Sequence, residues 1–125
     1  MYKIRTEFEF EAAHQLFLNY DSPCTRLHGH SYRGAVTLAS DKLDVNGMIV
    51  DFKIVKKLLS EIIDDQLDHR NLNDVFVNTN ATAEFMSRWI CEELNYQLEK
   101  KSIEARCVCV ELNETTKNRA IWEVD

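Results

Sequence analysis

Hydrophobic and polar residues alternate cleanly from Tyr2 to Ala12. Tyr2, Ile4, Phe8, Phe10 and Ala12 share one parity, with Thr6 the polar exception, and Lys3, Arg5, Glu7, Glu9 and Glu11 take the other. A period of two over this length predicts a half-buried strand with one wet face. His14 continues the apolar parity. A second strand is predicted over His30 to Ala39, where Tyr32, Val36 and Leu38 share the parity of His30. Between them lies a loop with Asn19, Asp21, Ser22, Pro23 and Cys24.

After a turn at Asn46-Gly47 the period changes. Phe52, Val55, Leu58, Leu59, Ile62 and Ile63 fall three or four apart, which predicts an amphipathic helix with Asp51 as N-cap. Leu67 to Asp74 reads as a loop. A second helix starts near Asn80 or Thr82 and buries Phe85, Met86, Trp89, Ile90, Leu94 and Leu98. Ile103 to Asn113 is a third strand, with Val108, Val110 and Leu112 on one parity and Glu114 continuing it. Cys107 and Cys109 fall on one side of that strand as small core residues, and Cys91 reads the same way within the helix. Arg119 to Val124 is a short fourth strand. The order β-β-α-α-β-β predicts an α+β domain: a four-stranded antiparallel sheet with both helices on one face. The other face and the edges need cover, which predicts an oligomer.

One domain over 1–125 fits the length of 125 residues, and 45% hydrophobic content supports a real core. The net charge of −6 disfavours nucleic acid as a partner, because phosphate binding needs a basic footprint. No apolar stretch approaches a membrane span, and the N-terminus lacks a signal-peptide pattern. A cytoplasmic protein with four reduced cysteines is expected.

The chemistry concentrates in Cys24-Thr25-Arg26-Leu27-His28-Gly29-His30. His28 and His30, two apart on or entering a strand, leave one face and can reach one ion, with Gly29 allowing close backbone approach. His14 can supply a third imidazole. Three histidines leave a tetrahedral zinc one open position, as in catalytic sites. The alternative is a closed staple with Cys24 as fourth ligand. Asp68-His69 pairs a carboxylate with an imidazole suited to general acid/base work; the plain alternative is a helix-terminal Asp and a surface His. Glu114, a carboxylate on an apolar parity, either accepts hydrogen bonds from a ligand's guanidine-like edge or faces water at a strand end.

These residues, in order, resemble the 6-pyruvoyl-tetrahydropterin synthase family. The matching runs are Phe10-Glu11-Ala12-Ala13-His14, Cys24 to His30, Gly47-Met48-Ile49-Val50-Asp51-Phe52, Leu67-Asp68-His69-x-x-Leu72-Asn73, Ala81-Thr82-Ala83-Glu84 and Glu114-Thr115. Three residues separate Cys24 from His28-Gly29-His30, which resembles the 6-carboxytetrahydropterin synthase branch of queuosine biosynthesis; the pyruvoyl-forming branch usually has five. The family often has Asn-Pro-Thr before the second helix, where this chain has Asn80-Ala81-Thr82.

The resemblance implies a tunnelling fold (T-fold) and a homohexamer with active sites at subunit interfaces. It implies zinc on His14, His28 and His30, Cys24 as proton acceptor, and His69 supported by Asp68 as partner acid/base. Glu114, with Thr115 beside it, would anchor the pterin. The implied substrate is 7,8-dihydroneopterin triphosphate, and the implied products are 6-carboxy-5,6,7,8-tetrahydropterin, acetaldehyde and triphosphate. The alternatives are elimination of triphosphate to 6-pyruvoyl-tetrahydropterin and a non-catalytic zinc-stabilised module.

Overall fold

A computed structural model describes residues 1–124; Asp125, the last residue of the expected 1–125 domain, lies outside the described residues. The elements are β1 (Tyr2–His14), β2 (His28–Ser40), α1 (Phe52–Leu59), β3 (Arg70–Asn71), α2 (Leu72–Val75), α3 (Ala83–Lys100), β4 (Arg106–Asn113) and β5 (Arg119–Glu123). The sheet order is β3-β1-β2-β4-β5. The four long strands are antiparallel neighbours, as the pattern predicts. The fifth is a correction: within the expected loop, Arg70–Asn71 pairs parallel with Ala12–Ala13, and α2 follows at once. Two-residue strands carry no periodicity to detect.

β1 and β2 run longer than expected, to His14 and from His28, and these two histidines face each other in register. The even residues of both strands pack inward, with Phe10 stacked on Tyr32 at 4.7 Å between ring centroids. α1 and α3 supply the opposite wall of the core through Val55, Leu58, Leu59, Met86, Ile90, Leu94 and Leu98, all buried. Asp51 caps α1 by accepting from Lys53 N–H at 2.8 Å, and Thr82 caps α3 by accepting from Phe85 N–H at 3.1 Å. Beyond Leu59 the helix continues as a π-turn over Ser60–Asp64, which keeps Ile62 and Ile63 buried. Phe52 departs from the predicted helix face and is 53% exposed.

β4 also departs from its simple alternation. Thr37 pairs with Cys109 but Leu38 pairs with Cys107, so Val108 is an extra residue, a β-bulge. Cys107, Val110 and Leu112 are therefore buried together, whereas Cys109 turns to the other face beside Glu111. The expectation that Cys107 and Cys109 share a side, and that Val108 joins Val110, fails for this reason. The outer face of the sheet is polar: Arg5 Nε donates to Glu111 at 2.8 Å and Arg119 Nη1 to the same carboxylate at 2.9 Å.

Candidate metal and acid/base site

The antiparallel pairing of β1 with β2 brings His14 opposite His28, and inward parity brings His30 to the same face. Their rings meet edge to face, with centroids 4.6 to 5.1 Å apart. Glu114, just past the end of β4, joins them, and one ligand atom from each of the four lies within 4.8 Å of the others. His14 is fully buried. Its Nδ1 lies 2.9 Å from the carbonyl oxygen of Ala81, which can only accept, so Nδ1 carries the proton and Nε2 a lone pair. His28 repeats the arrangement, with Nδ1 2.7 Å from the Arg26 carbonyl. Backbone carbonyls that hold one ring nitrogen while the other points at a common centre are the supporting shell of a metal site.

The Nε2 atoms of His14, His28 and His30 are all buried without a hydrogen-bond partner. Glu114 Oε1 is 2.6 Å from His30 Nε2 and 3.8 Å from His14 Nε2; the first contact is not aligned as a hydrogen bond and the second is too long for one. Three orphaned, inward-pointing nitrogens are what a bound cation would satisfy, so the residues fit a metal. Burial pushes the pKa of both His14 and His30 below the ordinary value, which keeps them neutral and able to ligate. Tyr32 lies behind the cluster with its ring 5.4 Å from that of His30, and burial raises its phenol pKa.

The other expected site residues lie apart from this group. Cys24 sits in a single 3₁₀ turn, Pro23–Thr25, capped by Ser22. Its thiol is free and partly buried, and it is not among the four clustered groups. Asp68 and His69 dock on the outer edge of β1. Asp68 Oδ1 accepts from Glu11 N–H at 2.9 Å, and His69 N–H donates back to the Glu11 carbonyl. Asp68 Oδ2 lies 3.0 Å from His69 Nδ1. The Glu11 backbone bond, then the His69 ring, hold the Asp68 carboxyl below the usual range, so it is ionised at neutral pH. The His69 ring is 78% exposed, and its backbone takes a left-handed φ of 57°, which costs about 1 kcal/mol for an L-residue. Thr115 Oγ1 accepts from the backbone N–H groups of Lys117 and Asn118 in the turn joining β4 to β5.

The sequence pattern missed Ala81 and Arg26, which act through their carbonyls and leave no side-chain signal. The departure from Asn-Pro-Thr is thereby accounted for: position 81 contributes an oxygen that any residue has.

An α+β sheet carrying three convergent imidazoles and a carboxylate at one end, with a carboxylate–imidazole pair on its edge, is the framework of an enzyme able to hold a metal ion. The chain belongs to the 6-pyruvoyl tetrahydropterin synthase family, whose profile matches residues 3–124. It is 43% identical over 98 residues to the 6-carboxy-5,6,7,8-tetrahydropterin synthase of Synechocystis, covering 75% of each chain. It is 27% identical to the protein of the same name from Bacillus subtilis, over 97% of this chain and 84% of that one. Among solved structures, it resembles Caenorhabditis elegans 6-pyruvoyl tetrahydropterin synthase with a TM-score of 0.81 at 27% identity, covering 99% of this chain and 96% of the other. The tunnelling fold expected from the motifs is the fold of these neighbours.

Proposed function

We propose that this chain is a zinc-dependent lyase, a 6-carboxy-5,6,7,8-tetrahydropterin synthase. It acts on 7,8-dihydroneopterin triphosphate and water and releases acetaldehyde and triphosphate, a step of queuosine formation. The observation that carries the site assignment is the set of three buried, unpartnered Nε2 atoms. The reaction is supported by the names of the relatives and by the three-residue spacing from Cys24 to His28.

His14, His28 and His30 would hold the zinc. When bound, zinc supplies Lewis-acid polarisation of the substrate's side-chain hydroxyls and makes them more acidic. The Ala81 and Arg26 carbonyls keep the His14 and His28 rings in the ligating tautomer. Cys24 Sγ accepts a side-chain proton of the substrate. Asp68 holds Nδ1–H of His69, leaving Nε2 to exchange a second proton. Glu114 offers an acceptor-only carboxylate to the guanidine-like edge of the pterin, with Thr115 beside it.

No hydrogen bond joins Cys24 to His69 among the described residues. We infer that a second subunit brings them together, in a homohexamer. The open edge of β5, the mostly unpaired edge of β1 and the exposed His69 ring support that inference. A single domain over 1–125 and a cytoplasmic location complete the proposal. Free thiols accord with a reducing compartment, and no helix among the described residues is long and apolar enough to cross a membrane.

Zinc-loaded protein incubated with dihydroneopterin triphosphate should yield 6-carboxytetrahydropterin. Accumulation of 6-pyruvoyl-tetrahydropterin would transfer the assignment to the runner-up, which the C. elegans likeness favours. Cys24→Ala should keep stoichiometric zinc and lower turnover by about 10²-fold or more, the usual weight of a proton-transfer group. Loss of zinc in that variant would point instead to a closed four-ligand staple in a non-catalytic module.

A further inference from the structure

Beyond His14 the chain leaves the sheet, but its backbone stays paired. Gln15 N–H donates to Asn73 Oδ1 at 2.8 Å, and Asn73 Nδ2 donates to the Gln15 carbonyl at 3.0 Å. Two residues on, Phe17 N–H donates to Asn80 Oδ1 at 2.9 Å, and Asn80 Nδ2 donates to the Phe17 carbonyl at 3.0 Å. A primary amide carries one acceptor and a donor pair on a rigid plane, so each asparagine serves as a one-residue strand. Between them, Leu16 N–H points the other way and donates to the Cys24 carbonyl at 2.8 Å. This alternation is that of an extended strand.

The same 73–81 segment reaches the metal ligands. Ala81, next to Asn80, accepts from His14 Nδ1. Asn80 is free for this work because Thr82, not Asn80, caps α3. Asn73 is itself braced by Asn71, whose Oδ1 accepts its backbone N–H at 3.0 Å.

We propose that Asn73 and Asn80 are positioning residues: their amides extend β1 past His14 and thereby set the Cys24 thiol relative to the three histidines. The inference deepens the proposed function and rests on Cys24 acting as the proton acceptor. The amide is required chemically. An aspartate at position 80 would accept from Phe17 N–H but turn its second carboxylate oxygen against the Phe17 carbonyl; alanine would leave both backbone groups to water. The His14 backbone is held by its register opposite His28, and its ring by the Ala81 main-chain carbonyl, which side-chain changes at positions 73 and 80 do not remove, so zinc should not depend on the clamp.

The test compares Asn80→Ala, Asn80→Asp and the milder Asn73→Ser with the parent enzyme. The measurements are zinc content, steady-state kinetics with dihydroneopterin triphosphate, and iodoacetamide labelling mapped by mass spectrometry. Cys24 and Cys109 are both partly buried thiols on one molecule, so Cys109 is an internal reference. Stoichiometric zinc, KM within about twofold and kcat lowered about tenfold are expected, because two lost hydrogen bonds shift a local equilibrium by about that factor. The Cys24-to-Cys109 labelling ratio should change several-fold, and Asn80→Asp should resemble Asn80→Ala. Parental kcat and labelling ratio in both Asn80→Ala and Asn73→Ser would overturn the proposal. Should Cys24→Ala retain turnover, the proton-acceptor role fails, while the labelling ratio still decides whether the amides place the thiol.

Discussion

Gly34 is the position where one methyl group should do most damage. It lies mid-strand in β2, opposite Phe8 on one side and Leu112 on the other. A Cβ built there would sit 2.3 Å from the Glu111 carbonyl oxygen and 2.6 Å from Phe8 Cζ. The phenyl ring can swing away, but the carbonyl belongs to the β4 backbone and cannot move alone. Strands β2 and β4 must separate by roughly 1 Å, an overpacking cost of about 3 kcal/mol. Against a stability of about 6–19 kcal/mol for a chain of this length that is a large fraction. It should lower Tm by about 10 °C. Gly29 supplies the contrast. The nearest atom to its built Cβ is the Ala12 carbonyl oxygen at 3.7 Å, an ordinary contact, so close backbone approach is not the reason for glycine there. Gly29→Ala should be neutral or up to about 1 kcal/mol stabilising, because alanine loses less entropy in a strand. Urea and thermal unfolding of both variants with unchanged m-values would check the pair. A Gly34→Ala midpoint within about 2 °C of the parent would refute the packing argument. The displacement would also reach the histidine cluster, since Leu112 precedes Glu114 by two residues.

Two further outcomes follow from the cluster itself. Glu114→Gln should keep zinc bound by the three imidazoles and raise KM about tenfold or more, by weakening a charge-assisted hydrogen bond to the pterin; loss of zinc with unchanged KM would make Glu114 a ligand instead. In metal-stripped protein, His14 and His30 have folded pKa values below the ordinary 6.5 that they regain on unfolding. The unfolded chain therefore binds more protons below 6.5, so stability is full above that pH and falls as pH drops through the lowered folded values. Urea unfolding between about pH 8 and pH 5 should show this slope, and a flat profile would contradict the burial argument.

The long strands and both main helices were legible because each buries a continuous face. Alternation in Tyr2 to Ala12 and three-four spacing in Val55 to Ile63 are direct images of that burial. The three histidines could be grouped from residue type and spacing, whereas the register that sets His14 opposite His28 appears only in the strand pairing. What stayed hidden has a different physical origin. The β3 bridge at Arg70–Asn71 is too short for a period, and the Ala81 and Arg26 carbonyls have no side-chain signature. From its parity Glu114 read as a carboxylate that either accepts from a ligand or faces water, and only the resemblance made it a pterin anchor; its 2.6 Å approach to His30 depends on how β4 ends, which no local pattern records. Asn73 ends the Leu67-Asp68-His69-x-x-Leu72-Asn73 run, yet its bond partner Gln15 is 58 residues away.

The bulge at Val108 makes β4 a strand written in two reading frames. Before it, the odd residue Cys107 faces the helices; after it, the even residues Val110 and Leu112 do, and Glu114 follows their phase toward the histidines. Removal of Val108 would restore a single frame and leave everything downstream in phase, because that residue has no partner on β2; insertion of one residue directly after Cys109 would instead rotate all that follows by half a turn. Glu111, with its two arginine partners, would be driven into the core, and Glu114 would face away from the imidazoles. The strand can thus absorb the loss of its bulge residue but not the gain of another, and the chemistry at its far end is the first thing such a frameshift of side chains would erase.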